Sequence, residues 1–477
     1  MMSPVDGSVN GAVPHFEDEY ISDNNEEDDH LITPGSQDTT TSHGACGRLD
    51  DAKAPKDRYN IVYTICFTMG VCSVLPWNMF ITAVRYFSYK LRNTTNSTTV
   101  LDESTPLQMM FESYFAVAAM VPNILIMLLN LALQHRISLQ VRVVVPLIAM
   151  MGLFIVTTIL TKINTDEWQM GFFIICICSI VLINGFGGIF QGSVFGVAGV
   201  LPKRYMQAIM SGQGMGGILP SLLSIISISA AHTAVESGFI YFLCALVCMA
   251  FTLFAFLMLP RMKYASFYLN RHSNLNKSKR IEDLENTESF EKVKHHQRPP
   301  FFEIFWKIKI PAVTILIIFA VTLALFPATI SSIGAIDTTN KNWDNDYFVP
   351  VMCFLTFNLM DFTGRSLAVI QWPTEKNMIV LSILSLLRIG FFPLFALCNI
   401  HPATRLTQVV FNNDAYPFVF NALFGLSNGY LGSLVMIYGP KFVELKHSEV
   451  AGVMMALFLS AGLAIGSVIS VIFQKIV

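Results

Sequence analysis

Residues Tyr347 to Gln371 read YFVPVMCFLTFNLMDFTGRSLAVIQ. At a rise of about 1.5 Å per residue, a helix of this length crosses a hydrocarbon core of about 30 Å. Yet the run contains Asp361 and Arg365. A charged side chain at bilayer depth costs roughly 2.5 to 3.5 kcal/mol on insertion scales, so such residues mark substrate or ion paths by default. Spaced four apart, the two share one helix face and can form a charge-assisted bond. The stretch therefore reads either as a membrane span with a polar site or as a span whose ion pair only fixes packing. Asn358, nearly one turn earlier, adds a third polar group.

The rest of the chain has the same character. Apolar residues make up 53% of 477 and charged ones 13%, and the apolar residues fall in runs long enough to span a bilayer. The net charge of -2 hides an uneven layout in which acids crowd the N-terminal tail and bases sit in short connections. Nothing in this distribution implies a nucleic-acid partner; the lipid bilayer is the expected surroundings. Eight of the nine cysteines lie inside apolar runs, which leaves no loop framework for disulfides. The N-terminus lacks a basic segment followed by an apolar one, so no cleaved signal peptide is expected.

Eleven apolar segments stand out, at about 60–84, 111–133, 141–162, 170–200, 205–231, 238–260, 308–333, 347–371, 377–400, 415–438 and 449–474. The longest internal polar interval separates six from five. The expected fold is an all-α polytopic membrane protein of eleven transmembrane helices in a 6+5 arrangement. Its expected parts are a disordered cytosolic tail over 1–57, a six-helix bundle over 58–260, a basic cytosolic loop over 261–307 and a five-helix bundle over 308–477. Arg136, Arg142, Lys203, Arg204, the bases between Arg261 and Arg298, Lys376, Lys441 and Lys446 then share one side, which the positive-inside rule assigns to the cytosol together with the N-terminus. An odd number of spans leaves the C-terminus extracellular or lumenal. The sequons at Asn93 and Asn96 fall in the first non-cytosolic loop and are candidate glycosylation sites.

Other polar or irregular positions gather inside the spans. Pro76 should kink the first span and place Trp77 and Asn78 at a break, unless Trp77 belongs to an interfacial aromatic belt. Pro327, after Phe326, interrupts the seventh span at a comparable place, and paired interruptions of this kind point to a site between two repeats. In the fourth span Gly188, Gly192 and Gly196 form a stripe for close helix approach. Gln191 beside it has the donors and acceptor to read a nucleobase edge, or to bond a neighbouring helix. Gly212 and Gly216, Gly425 and Gly429, and Gly462 and Gly466 repeat the small-residue spacing. No metal-ligand or nucleophile constellation is present, so neither metal nor cofactor is expected and the chain does not read as an enzyme. There is no Walker loop, so ATP is not an expected partner and any transport runs on gradients.

Several stretches resemble one family, the equilibrative nucleoside transporters: PWNMFITA in the first span, GGIFQGSVFGVAGVLP and YMQAIMSGQGMGG in the fourth and fifth, CFLTFNLMDFTGRS in the eighth, and FGLSNGYLGSL, YGPK and AGVMMALFLSAGLAIGS near the end. The resemblance runs in order from about Arg58 to Val477. It implies a major-facilitator-like fold, alternating access around a central cavity, and sodium-independent, facilitative transport of nucleosides such as adenosine and uridine, with nucleobases as further substrates. By position it also implies that Trp77 lines the cavity, that Gln191 contacts the nucleobase, and that Asp361 and Arg365 act at the nucleobase and ribose end. Met120, Phe326, Phe354, Asn358 and Leu463 would complete the wall. The family often carries Phe or Met near the position of Ile81.

The expected residence is the plasma membrane. The alternative is an endosomal or lysosomal membrane, because Glu27, Leu31 and Ile32 fit the acidic dileucine spacing used for sorting there. Two other functional classes stay open on sequence grounds: a proton-coupled nucleoside carrier in which Asp361 titrates, and a non-transporting receptor or scaffold in which the charged pair only stabilises packing.

Overall fold

The computed structural model describes residues 55–92, 122–134, 136–230, 233–271, 274, 300–339, 341–400 and 408–476. The sorting stretch at Glu27, Leu31 and Ile32, the sequons at Asn93 and Asn96, and Met120 lie outside them.

Helices dominate because the apolar runs must satisfy their backbone groups internally when water is absent. The long ones are α1 (Ile61–Thr82), α2 (Pro122–Leu133), α3 (Leu139–Lys162), α4 (Gln169–Val200), α5 (Lys203–Ser229), α6 (Ala234–Met258), α7 (Phe301–Leu325), α8 (Thr356–Leu367), α9 (Met378–Leu387), α10 (Ala415–Tyr438) and α11 (Ser448–Ile476). Among the described residues, nine helices are long and apolar enough to cross a membrane. The two expected spans outside that nine are the second, whose described part is the short α2, and the eighth. In the eighth, π-helical turns at Trp343–Tyr347 and Pro350–Leu355 lead into α8, and a 3-10 turn at Ala368–Ile370 follows it.

Three expectations need correction. Pro76 does not break the first span, since α1 stays helical through it. The helix around it is held by neighbours, as when Asn78 Nδ2 donates to Gly216 O on α5 at 3.2 Å. Pro327 does interrupt its span: α7 ends at Leu325, Phe326 is extended, and a short helix resumes at Ala328–Ser331. The seventh helix also begins earlier than its apolar content implied, at Phe301, because Phe301, Phe302, Glu303 and Ile304 continue the helical repeat into the interval read as loop. Finally, Asp57 is no loose tail end. Its carboxylate accepts from Val62 N, Tyr63 N and the Tyr205 hydroxyl, each at 3.2 Å, and so ties the start of α1 to α5.

Packing sorts the helices into neighbours. α1 lies against α5 and α6, α3 against α4 and α6, α7 against α9, α10 and α11, and α8 against α10. Further pairings join early helices to late ones, chiefly α5 with α8 and α4 with α11. Small residues set the closest approaches, as the glycine spacing predicted. A Cβ built on Gly212 would lie 2.0 Å from Phe67 O of α1, and one on Gly429 would lie 1.9 Å from Asp361 O of α8. At the end predicted to face the cytosol, Gly196 abuts Glu449 and Val453, Arg142 pairs with Glu449, and Lys203 pairs with Glu375.

Candidate functional site

α8 carries the polar face that the sequence advertised. Arg365 Nε donates to Asp361 Oδ2 at 2.6 Å, one turn apart on the same helix, and both side chains are buried. The second carboxylate oxygen, Asp361 Oδ1, accepts from Asn428 Nδ2 of α10 at 2.7 Å. With both oxygens taken, Asp361 acts as an anchor for Arg365.

Arg365 in turn reaches across to α5. Its Nη1 donates to Met210 O at 3.3 Å and to Gln213 Oε1 at 3.1 Å, while Nη2 makes no hydrogen bond among the described residues. Gln213 passes the connection on, since its Nε2 donates to Ser73 Oγ of α1 at 3.1 Å. Asn358 forms a second bridge to α5, donating through Nδ2 to Ser221 Oγ at 3.0 Å and to Phe354 O at 2.9 Å. Helices α1, α5 and α8 are thereby knitted by side-chain bonds at several levels, among them Asn78 to Gly216 O and Gln207 Nε2 to Ser366 O at 3.3 Å.

Beside this region lies an aromatic cluster, with Phe326 and Phe354 packed against the core that contains Phe357. The Phe326 and Phe357 rings stack with centroids 3.9 Å apart, and Phe354 meets Phe326 edge-on at 5.8 Å. Aromatic faces of this kind suit a flat heterocycle. The extended Phe326 sits there because the interruption at Pro327 turns the chain out of α7.

A sequence profile described as Nucleoside transporter matches residues 177–475. Equilibrative nucleoside transporter 1 of Homo sapiens is 37% identical over 455 residues, covering 89% of this chain and 99% of that protein. This chain belongs to the nucleoside transporter family. A second relative, equilibrative nucleoside transporter 3 of Rattus norvegicus, is 34% identical over 431 residues, covering 89% of this chain and 90% of that protein. Among solved structures, a major facilitator superfamily proton:xylose symporter bound to 6-bromo-6-deoxy-D-glucose superposes with a TM-score of 0.59 at 10% identity, covering 87% of this chain and 88% of that one. At that identity the likeness establishes the fold, a major-facilitator-type membrane protein of packed helices.

Within this family member the expected site residues fall into two groups. Asn358, Asp361 and Arg365 come together on α8, and Phe326 and Phe354 pack beside one another. Gln191 is buried on α4, and its amide has no hydrogen-bond partner among the described residues. Trp77 and Leu463 are half-buried on α1 and α11.

Four further residues enter the geometry that sequence reasoning passed over: Gln213, Asn428, Thr322 and Arg388. Arg388 carried the same signal as Asp361, a charge inside an apolar run, and the same insertion cost marks it. Gln213, Asn428 and Thr322 gave no such signal. Neutral polar residues are common between membrane helices, and only the fold shows which of them meet.

Proposed function

We propose that this chain is a sodium-independent, facilitative carrier of nucleosides that works by alternating access in the plasma membrane. The observation that carries this reading is Arg365: it is buried in a membrane helix, held by Asp361, bonded to α5 through Nη1, and left with Nη2 unpaired among the described residues. A buried guanidinium with a spare donor is costly without a polar ligand. Family membership supplies the ligand class, for the related proteins are named for nucleosides.

A nucleoside fits the chemistry in detail. Its hydroxyls and ring acceptors suit Arg365, its base edge suits the unpaired amide of Gln191, and its flat face suits Trp77, Phe326 and Phe354. Asn358 and Leu463, with Met120, complete the proposed wall. Asp361 orients Arg365, accepting from it through Oδ2 while Oδ1 accepts from Asn428. Adenosine, uridine and nucleobases are the proposed cargo, and the chain is a carrier and not an enzyme.

The proposed transport cycle follows from the pairings between early and late helices. Eleven spans would form bundles over 58–260 and 308–477. The contacts of α4 and α3 with α11 through Glu449 would close one end of the path and part as the bundles rock. Major-facilitator-type architecture supports this motion.

The test is uptake of labelled uridine and adenosine into vesicles holding the purified protein. Saturable uptake that is unchanged when sodium is replaced supports the reading. Uptake equal to that of empty vesicles overturns it.

A further inference from the structure

Arg388 stands at the end of α9, in the middle of an apolar run, and is 2% exposed. Four acceptors surround its five N–H donors. Nε donates to Ser427 Oγ at 3.1 Å, Nη1 to Ile318 O at 2.8 Å, and Nη2 to Thr322 Oγ1 at 2.9 Å and Phe424 O at 3.4 Å. The Phe424 ring lies beneath the guanidinium, 4.7 Å from Cζ to its centroid. This cation is too well enclosed to be a ligand site. Its neighbours show what else it does.

Thr322 has a single hydroxyl proton. Its oxygen accepts from Arg388, and the proton can go along α7 to Ile318 O or across to Asn428 Oδ1, each at 2.7 Å. Asn428 is not free to choose its orientation, because a carboxylate only accepts. Its Nδ2 must face Asp361, which turns Oδ1 toward Thr322. With the Thr322 proton on Asn428, the hydrogen bonds run in one direction from Arg388 through Thr322 and Asn428 to Asp361, where they meet the bond from Arg365. One carboxylate lies between two guanidiniums, and the buried cluster carries a net charge of +1.

We propose that Arg388 is a positioning residue of the transport site: through Thr322 and Asn428 it fixes which donor Asp361 receives from α10, and so holds Arg365 in place against α5. The charges are coupled as well. With Asp361 neutralised, two buried cations would face each other across Thr322 and Asn428, whereas neutralising Arg388 too returns the cluster to +1. This inference rests on the reading of the chain as a nucleoside carrier.

The experiment combines four variants. Thr322→Val keeps the side-chain volume and every charge but cuts the chain of bonds. Arg388→Gln, Asp361→Asn and the double variant Asp361→Asn/Arg388→Gln test the charge coupling. Uptake of labelled uridine is measured per folded protein molecule, and the thermal midpoint of each purified protein is measured without substrate.

Thr322→Val should raise KM by about tenfold, the loss expected when a charge-linked hydrogen bond is cut. A KM per folded molecule equal to wild type would reduce Thr322 and Arg388 to packing and overturn the proposal. The double variant should melt above Asp361→Asn, because neighbours in one network do not add. A midpoint lowered by the sum of the two single losses overturns the coupling. Absent uptake by the wild type would overturn the carrier reading instead, and the midpoints would still decide whether Arg388 and Asp361 are coupled.

Discussion

Asn428 of α10 donates to Asp361 of α8 at 2.7 Å, using the carboxylate oxygen that Arg365 leaves open. This bond joins two helices whose backbones nearly touch at Gly429. Asp361→Asn removes the charge that both Arg365 and Arg388 depend on, and breaking a buried pair from one side costs about 3 to 5 kcal/mol. Thermal denaturation of the purified protein should show a large drop in midpoint, accompanied by loss of uptake. Unchanged stability would mean that the pair is solvated and not buried.

Gln191→Leu removes an amide that has no partner among the described residues while keeping a side chain of comparable size. Stability should hardly change, since no described bond within the protein is lost. KM for nucleosides should rise roughly two- to tenfold, the worth of one ordinary hydrogen bond. Competition among nucleosides with different base edges should also weaken. An unaltered KM and selectivity would remove Gln191 from the proposed site.

Gly429→Val places a branched side chain where even a Cβ would be 1.9 Å from Asp361 O. The backbone of α8 cannot yield as a side chain would, so a loss at or above the usual 1 to 3 kcal/mol for overpacking is expected. Gly152→Ala is the control, because nothing lies within 4 Å of a Cβ there. Folded yield in detergent should fall for the first and hold for the second. Equal yields would mean that α8 and α10 can separate without cost.

Lys90 lies beyond the first span, buried, with Nζ donating to Ile163 O at 2.7 Å. Burial depresses its ammonium below the ordinary lysine value of 10.5, with Asp166 acting in the opposite direction and Arg92 in the same one. The unfolded chain therefore holds this proton more tightly than the folded one. Stability attributable to Lys90 should rise as pH climbs through the depressed value toward the ordinary one. Thermal midpoints of the wild type minus those of Lys90→Gln should increase over that alkaline range; a difference independent of pH would contradict the assignment.

Asp361 and Arg365 were legible from sequence because charge in an apolar run has a price that no neighbouring residue hides. The same logic reaches Arg388, but its partners come from α7 and α10, and their convergence depends on tertiary packing. Pro76 illustrates the opposite case. Its local effect predicts a broken helix, yet α1 stays helical with α5 packed along it and Asn78 bonded to Gly216. Pro327 has no such continuity, and there the local expectation holds. Glycine spacing predicted close approaches, while the choice of partner helix required the fold.

A facilitative carrier equilibrates nucleosides without concentrating them. The most direct test is the endpoint of uridine uptake in vesicles holding the purified protein, with an inward sodium or proton gradient imposed. Internal and external concentrations should become equal under every gradient, while Arg365→Ala should slow the approach to that endpoint. Accumulation above the external concentration under either gradient would contradict facilitative transport.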